Sequence, residues 1–233
     1  MNEFILETKD LGKSYGSQPA LQALSWKVSP GTVWGVVGPN GSGKSTLFSL
    51  LLGLKSQDTG QAWVMGSPAK GLEKGKVGAI MDEGSFYHDS SARYNLRISA
   101  LIKQVNKERV EELLTKLGLD QTGEKAFSKF SYGMRKRLEV ADALLTDPDL
   151  YIMDEPINGL DPEGIRFVRD LISQLHARGK TVLVSGHYLD ELEKVCTHYL
   201  VLSKGREVFQ GSKDEMEAKH GKLENLFGGG LKL

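Results

Sequence analysis

The sequence of 233 residues has one cysteine, Cys196, so an internal disulfide is excluded and a reducing compartment is expected. Its setting, Leu192-Glu193-Lys194-Val195-Cys196, favours a buried small apolar residue over a reactive thiol. An excess of one charge is missing as well. Thirty acidic residues balance thirty basic ones, which gives no support to a general binder of nucleic acid or of an anionic membrane. No window approaches the roughly 18 consecutive apolar residues that a membrane-spanning helix needs. The start, Met1-Asn2-Glu3-Phe4-Ile5-Leu6-Glu7, has neither a basic region nor a long apolar segment, so no secretory signal is expected. Any membrane span must then come from another chain. Internal repeats and low-complexity tracts are absent too. The apolar content of 39% suffices for a sizeable core, as one large domain or a domain carrying a subdomain.

Against these absences stands Gly38-Pro39-Asn40-Gly41-Ser42-Gly43-Lys44-Ser45, followed by Thr46. Residues 33–37 before it read as a buried strand and residues 46–52 after it as a helix, with Gly53 a stop. This is a complete phosphate-binding loop in the context where such a loop works. Its glycines let backbone N–H groups curl around phosphate oxygens, the helix N-terminus adds positive potential, Lys44 reaches the terminal phosphates and Ser45 can ligate magnesium. A nucleoside triphosphate is the expected ligand. A glycine-rich turn that merely joins strand to helix would not require the full pattern.

Around the loop, residues 3–37 are β-rich, with strands expected at 4–8, 23–28 and 33–37 between turns at Tyr15-Gly16-Ser17 and Pro30-Gly31. Further strands are expected at 61–64 and 77–81. Apolar residues at three- and four-residue spacing then predict helices over 94–104, 108–117 and 134–145, making residues 83–148 a helical insert. Strands at 150–153, 181–185, 199–202 and 207–209 alternate with helices at 163–178 and 189–195, which implies a mainly parallel sheet wrapped by helices. The end, with Gly228-Gly229-Gly230, is expected to fray.

Leu150-Tyr151-Ile152-Met153-Asp154-Glu155 is an apolar strand ending in two acids, and in a parallel sheet strand ends line the ligand crevice. Asp154 would hold magnesium through water, and Glu155 would polarise an attacking water. Before it lies Phe130-Ser131-Tyr132-Gly133-Met134, whose Ser and Gly open a helix and expose a hydroxyl and N–H groups to an anion, although such a Ser is also an ordinary N-cap. After it come Asn158-Gly159-Leu160-Asp161-Pro162, a sharp turn into a helix, and Ser185-Gly186-His187 at the end of an apolar strand. Arg135-Lys136-Arg137 follows the Ser-Gly segment on a helix whose other side carries Leu138, Ala141 and Leu145, so a solvated face is expected there.

In this order and at these spacings the elements resemble an ATP-binding cassette (ABC) ATPase domain over nearly the whole chain. The resemblance implies an α/β phosphate-loop NTPase core with a mainly parallel sheet, an N-terminal antiparallel β subdomain and an inserted α-helical subdomain. It places the ATPase domain at 1–222 and a tail at 223–233. It implies ATP with Mg2+, and two nucleotide-binding domains packed head to tail, a homodimer or a pair of paralogues, with each ATP between the phosphate loop of one and the signature of the other. Tyr15 then resembles the aromatic that stacks on adenine, Ser131 and Gly133 would touch the γ-phosphate of the partner's ATP, Asp161 would communicate across the interface, and His187 would hold the γ-phosphate and water in line. Two departures stand out. The usual Leu-Ser-Gly-Gly-Gln signature is here Phe130-Ser131-Tyr132-Gly133-Met134, similar to a variant common in ATP-binding subunits of drug, peptide and polysaccharide exporters. The usual Gln at the end of the strand before the insert is Asp82, a shorter acid that would ligate metal or water, with Glu83 the substitute if the alignment slips by one.

The resemblance therefore implies the ATP-hydrolysing subunit of an exporter, on the cytoplasmic face of a membrane, working through a separate integral membrane permease. A short helix of that partner would enter a groove at Gly84-Ser85-Phe86-Tyr87, although Phe86 and Tyr87 could equally pack into the insert's own core. Leu223-Glu224-Asn225-Leu226-Phe227 resembles an exporter-type terminal segment that packs back on the domain. The alternative is a soluble ABC ATPase driving a non-transport assembly. A clamp protein is disfavoured because no coiled-coil insertion separates loop from signature, and a GTPase because Asn106-Lys107-Glu108-Arg109 lacks the Asp of a guanine-reading motif. No nucleic-acid partner is expected.

Overall fold

The computed structural model describes residues 3–81 and 86–226. Its strands are β1 (Leu6–Tyr15), β2 (Gln18–Val28), β3 (Val33–Val37), β4 (Thr59–Val64), β5 (Ser67–Pro68), β6 (Val77–Ile80), β7 (Leu150–Met153), β8 (Thr181–Gly186), β9 (His198–Ser203) and β10 (Arg206–Ser212). The α-helices are α1 (Lys44–Leu51), α2 (Ala92–Ile102), α3 (Lys107–Lys116), α4 (Tyr132–Ala143), α5 (Pro162–Ala177), α6 (Leu189–Glu193) and α7 (Lys213–His220).

Among the described residues the strands form two sheets. One has the order β2-β1-β4-β5 and is antiparallel, and the other has the order β10-β9-β3-β8-β7-β6. In the second sheet β9, β3, β8, β7 and β6 run parallel, and only β10 reverses direction at the edge. The central strands β3, β8 and β7 are buried throughout and largely apolar, as strands covered on both faces must be. Alternate side chains feed two cores. Trp34, Val36, Leu150, Ile152, Leu183, Leu200 and Leu202 pack with α1 and the inner residues of β1, β2 and β4, whereas Val33, Val37, Tyr151, Met153, Val182, Val184, Tyr199 and Val201 pack beneath α2 to α6. The strand period of two thus glues one layer to each side of the sheet.

Strands β3 and β7 keep their expected bounds, and the three helices between β6 and β7 are present. Each of these begins about two residues early or less, because Ser91, Asn106 and Ser131 accept a backbone N–H of the first turn and fix the start. β1 runs seven residues past its expected end at Thr8, since register shifts at Thr8/Leu11, Leu11/Lys13 and Lys13/Ser14 break the alternation that a sequence pattern needs. Helix α7 was not expected. Its single buried residue is Met216, so it has no apolar stripe, but Ser212 and Glu215 form a full capping box. Cys196 is buried, and burial pushes its thiol up from the ordinary range, as an inert core position requires.

Two other expectations change. Arg135-Lys136-Arg137 is not a solvated face. The Arg135 guanidinium lies 5.3 Å from the centre of the Phe127 ring and that of Arg137 5.5 Å from Phe167, while Lys136 is buried and paired with Glu139 at 2.6 Å. The cationic heads of Arg135 and Arg137 lie over aromatic rings, which leaves little of this ridge in water. Phe86 and Tyr87 also part company: Phe86 packs on the insert core, 5.3 Å from Phe127 ring to ring, and Tyr87 remains 58% exposed. Residues 223–226 form a short 3-10 helix whose Leu223 is fully buried, whereas Phe227 and the glycine run lie outside the described residues.

Phe127 gathers Phe86, His88, Phe130 and Arg135 about one ring, and its backbone N–H donates to Ser90 O at 2.9 Å. Phe127→Ala is expected to lower unfolding free energy by about 3–5 kcal/mol in a urea titration followed by circular dichroism. An unchanged midpoint would contradict this packing.

Candidate nucleotide site

Because β3, β8 and β7 run parallel and in register, their C-terminal ends meet at one edge. Val37 stands opposite Gly186, and Met153 opposite Val184. The glycine-rich loop leaves β3 at Gly38, the acid pair leaves β7, and His187 leaves β8, so three remote segments share one crevice.

The loop is built tightly. Gly43 has φ +110°, and a Cβ there would stand 2.4 Å from Ala20 O, so only glycine fits between α1 and β2. Lys44 is buried, and its Nζ donates to Gly38 O at 2.8 Å and Pro39 O at 3.3 Å. Burial lowers its pKa, and the negative charges of Glu155 and Asp154 pull it partly back. Among the described residues no side chain caps α1, and the buried Ser42 Oγ has no hydrogen-bond partner. Orphan N–H groups at a helix start and an orphan hydroxyl beside a lysine are what an anionic phosphate would satisfy. Asn40 and Ser45 are exposed, Pro39 and Thr46 partly so.

At the end of β7, Asp154 is buried. Its N–H donates to Ile80 O at 2.7 Å, and its Oδ1 accepts the Ser185 hydroxyl. The same Ser185 Oγ accepts the Glu155 N–H at 2.9 Å. One β8 hydroxyl therefore fixes both acids. Glu155 has φ +44°, a left-handed conformation uncommon outside glycine, and its Oε2 lies 3.6 Å from His187 Nδ1. Lys44, Asp154, Glu155 and His187 are thus brought together. The role of Ser185 was missed from sequence; its one signal is a hydroxyl on an otherwise apolar strand beside the acid-bearing one.

Tyr15, at the end of β1, is half-exposed. Its hydroxyl accepts Lys55 Nζ at 2.9 Å, and that ammonium lies 4.9 Å from the ring centre. Burial alone would raise its pKa, but hydrogen bonds with Lys55 and Thr46 and the charges of Lys55 and Lys13 outweigh it and lower the value. The influence of the Thr46 side chain on this hydroxyl places Tyr15 near the first turn of α1.

Ser131, Gly133 and Asp161 come together elsewhere. They line a separate groove of about 200 Å³ with Met134, Lys136, Arg137, Leu160 and Phe167, and no residue of the phosphate loop is in it. Ser131 Oγ accepts the Met134 N–H at 3.3 Å, and Asp161 Oδ1 accepts that of Gly164 at 2.9 Å, so both are helix N-caps. Asp82 and Glu83 lie outside the described residues.

A phosphate loop on one strand end and an acid pair on its neighbour, in a mainly parallel sheet, define a nucleotide hydrolase of the phosphate-loop class. Residues 21–158 match the family model described as ABC transporter. The lantibiotic transport ATP-binding protein SrtF of Streptococcus pyogenes is 33% identical over 223 residues, 96% of this chain and 96% of its own length. The bacitracin transport ATP-binding protein BcrA of Bacillus licheniformis is 39% identical over 207 residues, 87% of this chain and 68% of its own. A solved structure of an ATP-binding subunit of an ABC transporter has a TM-score of 0.87 at 27% identity, covering 96% of this chain and 98% of that one. The chain belongs to the ABC transporter family and is an ATP-binding, ATP-hydrolysing subunit of that type.

Removing the shared hydroxyl would leave a buried carboxylate oxygen and a backbone N–H unpaired. Ser185→Ala is expected to lower stability by about 1–3 kcal/mol, read as a shift in urea midpoint at constant slope. A midpoint equal to the parent's would show that Ser185 does not hold the acid pair.

Proposed function

We propose that this chain powers export by a membrane transporter whose spanning subunit is a separate chain, with the ATPase on the cytoplasmic face. The assembly of Lys44, Asp154, Glu155 and His187 at one edge of the parallel sheet carries the catalytic part of this reading. Relatives named for lantibiotic and bacitracin transport support the transport part. Among the described residues no helix is long and apolar enough to cross a membrane, which fits a reading in which the span is supplied by a partner.

In this reading Gly38, Pro39, Asn40, Gly41, Ser42, Gly43 and Thr46 wrap the phosphates, Lys44 neutralises the terminal ones, and Tyr15 offers its ring to adenine. Glu155 polarises the attacking water, and His187 orients that water and the γ-phosphate. Magnesium, when bound, would neutralise phosphate charge. Among the described residues no cluster of three or more His, Cys, Asp or Glu side chains could hold a metal, so its protein ligands would be Ser45 and Asp154, with Asp82 a third candidate and phosphate oxygens and water supplying the rest. Residues 1–222 act as the ATPase domain and 223–233 as its tail.

Ser131, Gly133 and Asp161 lie in a groove apart from the loop, and they are read as contacts to ATP held by a second nucleotide-binding domain. ATP then favours the closed pair because γ-phosphate contacts exist only in that state, and hydrolysis removes them. The membrane partner would sense this closure at the insert, where Tyr87 and Tyr94 stand exposed in edge contact at 6.2 Å.

Glu155→Gln is expected to lower ATP turnover by about a hundredfold or more while ATP stays bound, so that an ATP-loaded dimer accumulates on a sizing column. Turnover at the parent rate would remove Glu155 from its role. Lys44→Ala should weaken ATP binding by about tenfold or more in calorimetry, given the charge-assisted contacts it supplies. Equal affinity would contradict the placement of the phosphates.

A further inference from the structure

Glu155 and the signature segment are tied together within one chain. The turn after Glu155 closes with the Asn158 N–H donating to Glu155 O at 3.1 Å, and the Asn158 side-chain amide donates to Glu155 Oε2 at 3.3 Å. That is the oxygen that faces His187. Asn158 is itself held from the other side, because the Tyr132 hydroxyl donates to Asn158 O at 2.6 Å. The Tyr132 ring lies over Gly159, whose φ is +71° and whose missing Cβ would stand 3.4 Å from Tyr132 Cζ. Behind the ring, the buried Lys136 places its ammonium 6.0 Å from the ring centre. Tyr132 stands where the usual signature has glycine, and a glycine could supply neither the hydroxyl nor the ring.

We propose that Asn158 is a positioning residue for the Glu155 carboxylate, and that Tyr132 holds Asn158 in place and so couples the start of α4 to the acid at the end of β7. The inference rests on the reading of Glu155 as the group that polarises water. Glu155 has a backbone conformation that few side chains adopt, and its carboxylate could turn about its own bonds. The amide of Asn158 removes part of that freedom by binding one oxygen, which leaves the other for water. A displacement of the start of α4 moves Tyr132, then the Asn158 carbonyl, then the turn that aims Glu155. Reacting groups tolerate little misplacement, with about 1 Å costing on the order of a hundredfold in rate.

The test uses steady-state ATP hydrolysis by the full chain together with sizing chromatography. Asn158→Ala is expected to lower kcat about 10- to 100-fold with KM within about twofold. Asn158→Asp, of the same shape, should be slower still because a second carboxylate would repel the first. Tyr132→Phe keeps the ring over Gly159 and loses the hydroxyl, and should lower kcat about 3- to 10-fold at unchanged KM. In a Glu155→Gln background, Asn158→Ala should leave the ATP-loaded dimer intact, because Asn158 aims the acid and does not hold the second copy. A parent-like kcat for Asn158→Ala beside an inactive Glu155→Gln overturns this inference alone. Loss of the dimer, or a rise in KM in proportion to the fall in kcat, also overturns it and makes Asn158 an interface residue. Parent-rate hydrolysis by Glu155→Gln removes the reading beneath it.

Discussion

The parallel, in-register pairing of β3 with β8 and of β8 with β7 is the constraint on which the rest depends. Backbone hydrogen bonds between these strands bring residues remote in sequence to one edge, with Val37 opposite Gly186 and Met153 opposite Val184. A slip of one residue would turn every side chain to the wrong face, and it would carry Ser185 away from Asp154 and Glu155. The apolar side chains enforce the register, because each central strand sends alternate residues into two different cores. Hydrophobic burial therefore sets the positions of charges that could not be held together by their own attraction. Lys44 is tolerable in a buried place because the sheet brings Asp154 and Glu155 to the same edge and their charges partly offset its desolvation.

The same construction separates two groups of residues. The crevice at the strand ends holds the phosphate loop and the acids, while the groove of Ser131, Gly133 and Asp161 is carried by α4 and the start of α5. Ser131 caps α4 of the insert and Asp161 caps α5, and both helices pack on the same core. The link from Tyr132 through Asn158 to Glu155 joins the two groups by hydrogen bonds within one chain.

Much of this was legible in the sequence. The loop from Gly38 to Ser45 was readable because its full pattern follows an apolar strand, and the acids after Met153, a weak signal alone, were readable beside that loop. β3 and β7 were readable because both are wholly apolar and sharply bounded. Elements whose stability comes from elsewhere were not. β1 continues past Thr8 through bulges paired with β2 and β4, and α7 rests on a capping box and one buried methionine. The charged run at Arg135-Lys136-Arg137 misled because its aromatic partners Phe127 and Phe167 lie elsewhere in the chain. Ser185 and Asn158 act through contacts to Asp154 and Glu155 that only the folded sheet creates.

The central claim is that one chain carries two half-sites that face different nucleotides, so that two copies, or one copy and a paralogue, must clamp ATP before it is split. The most direct measurement is the ATP hydrolysis rate per protomer of the purified chain as its concentration is lowered, with the mass of the species recorded at each point. The account predicts a rate per protomer that falls steeply as the dimer gives way to monomer. A rate that stays constant when only monomer remains would contradict it.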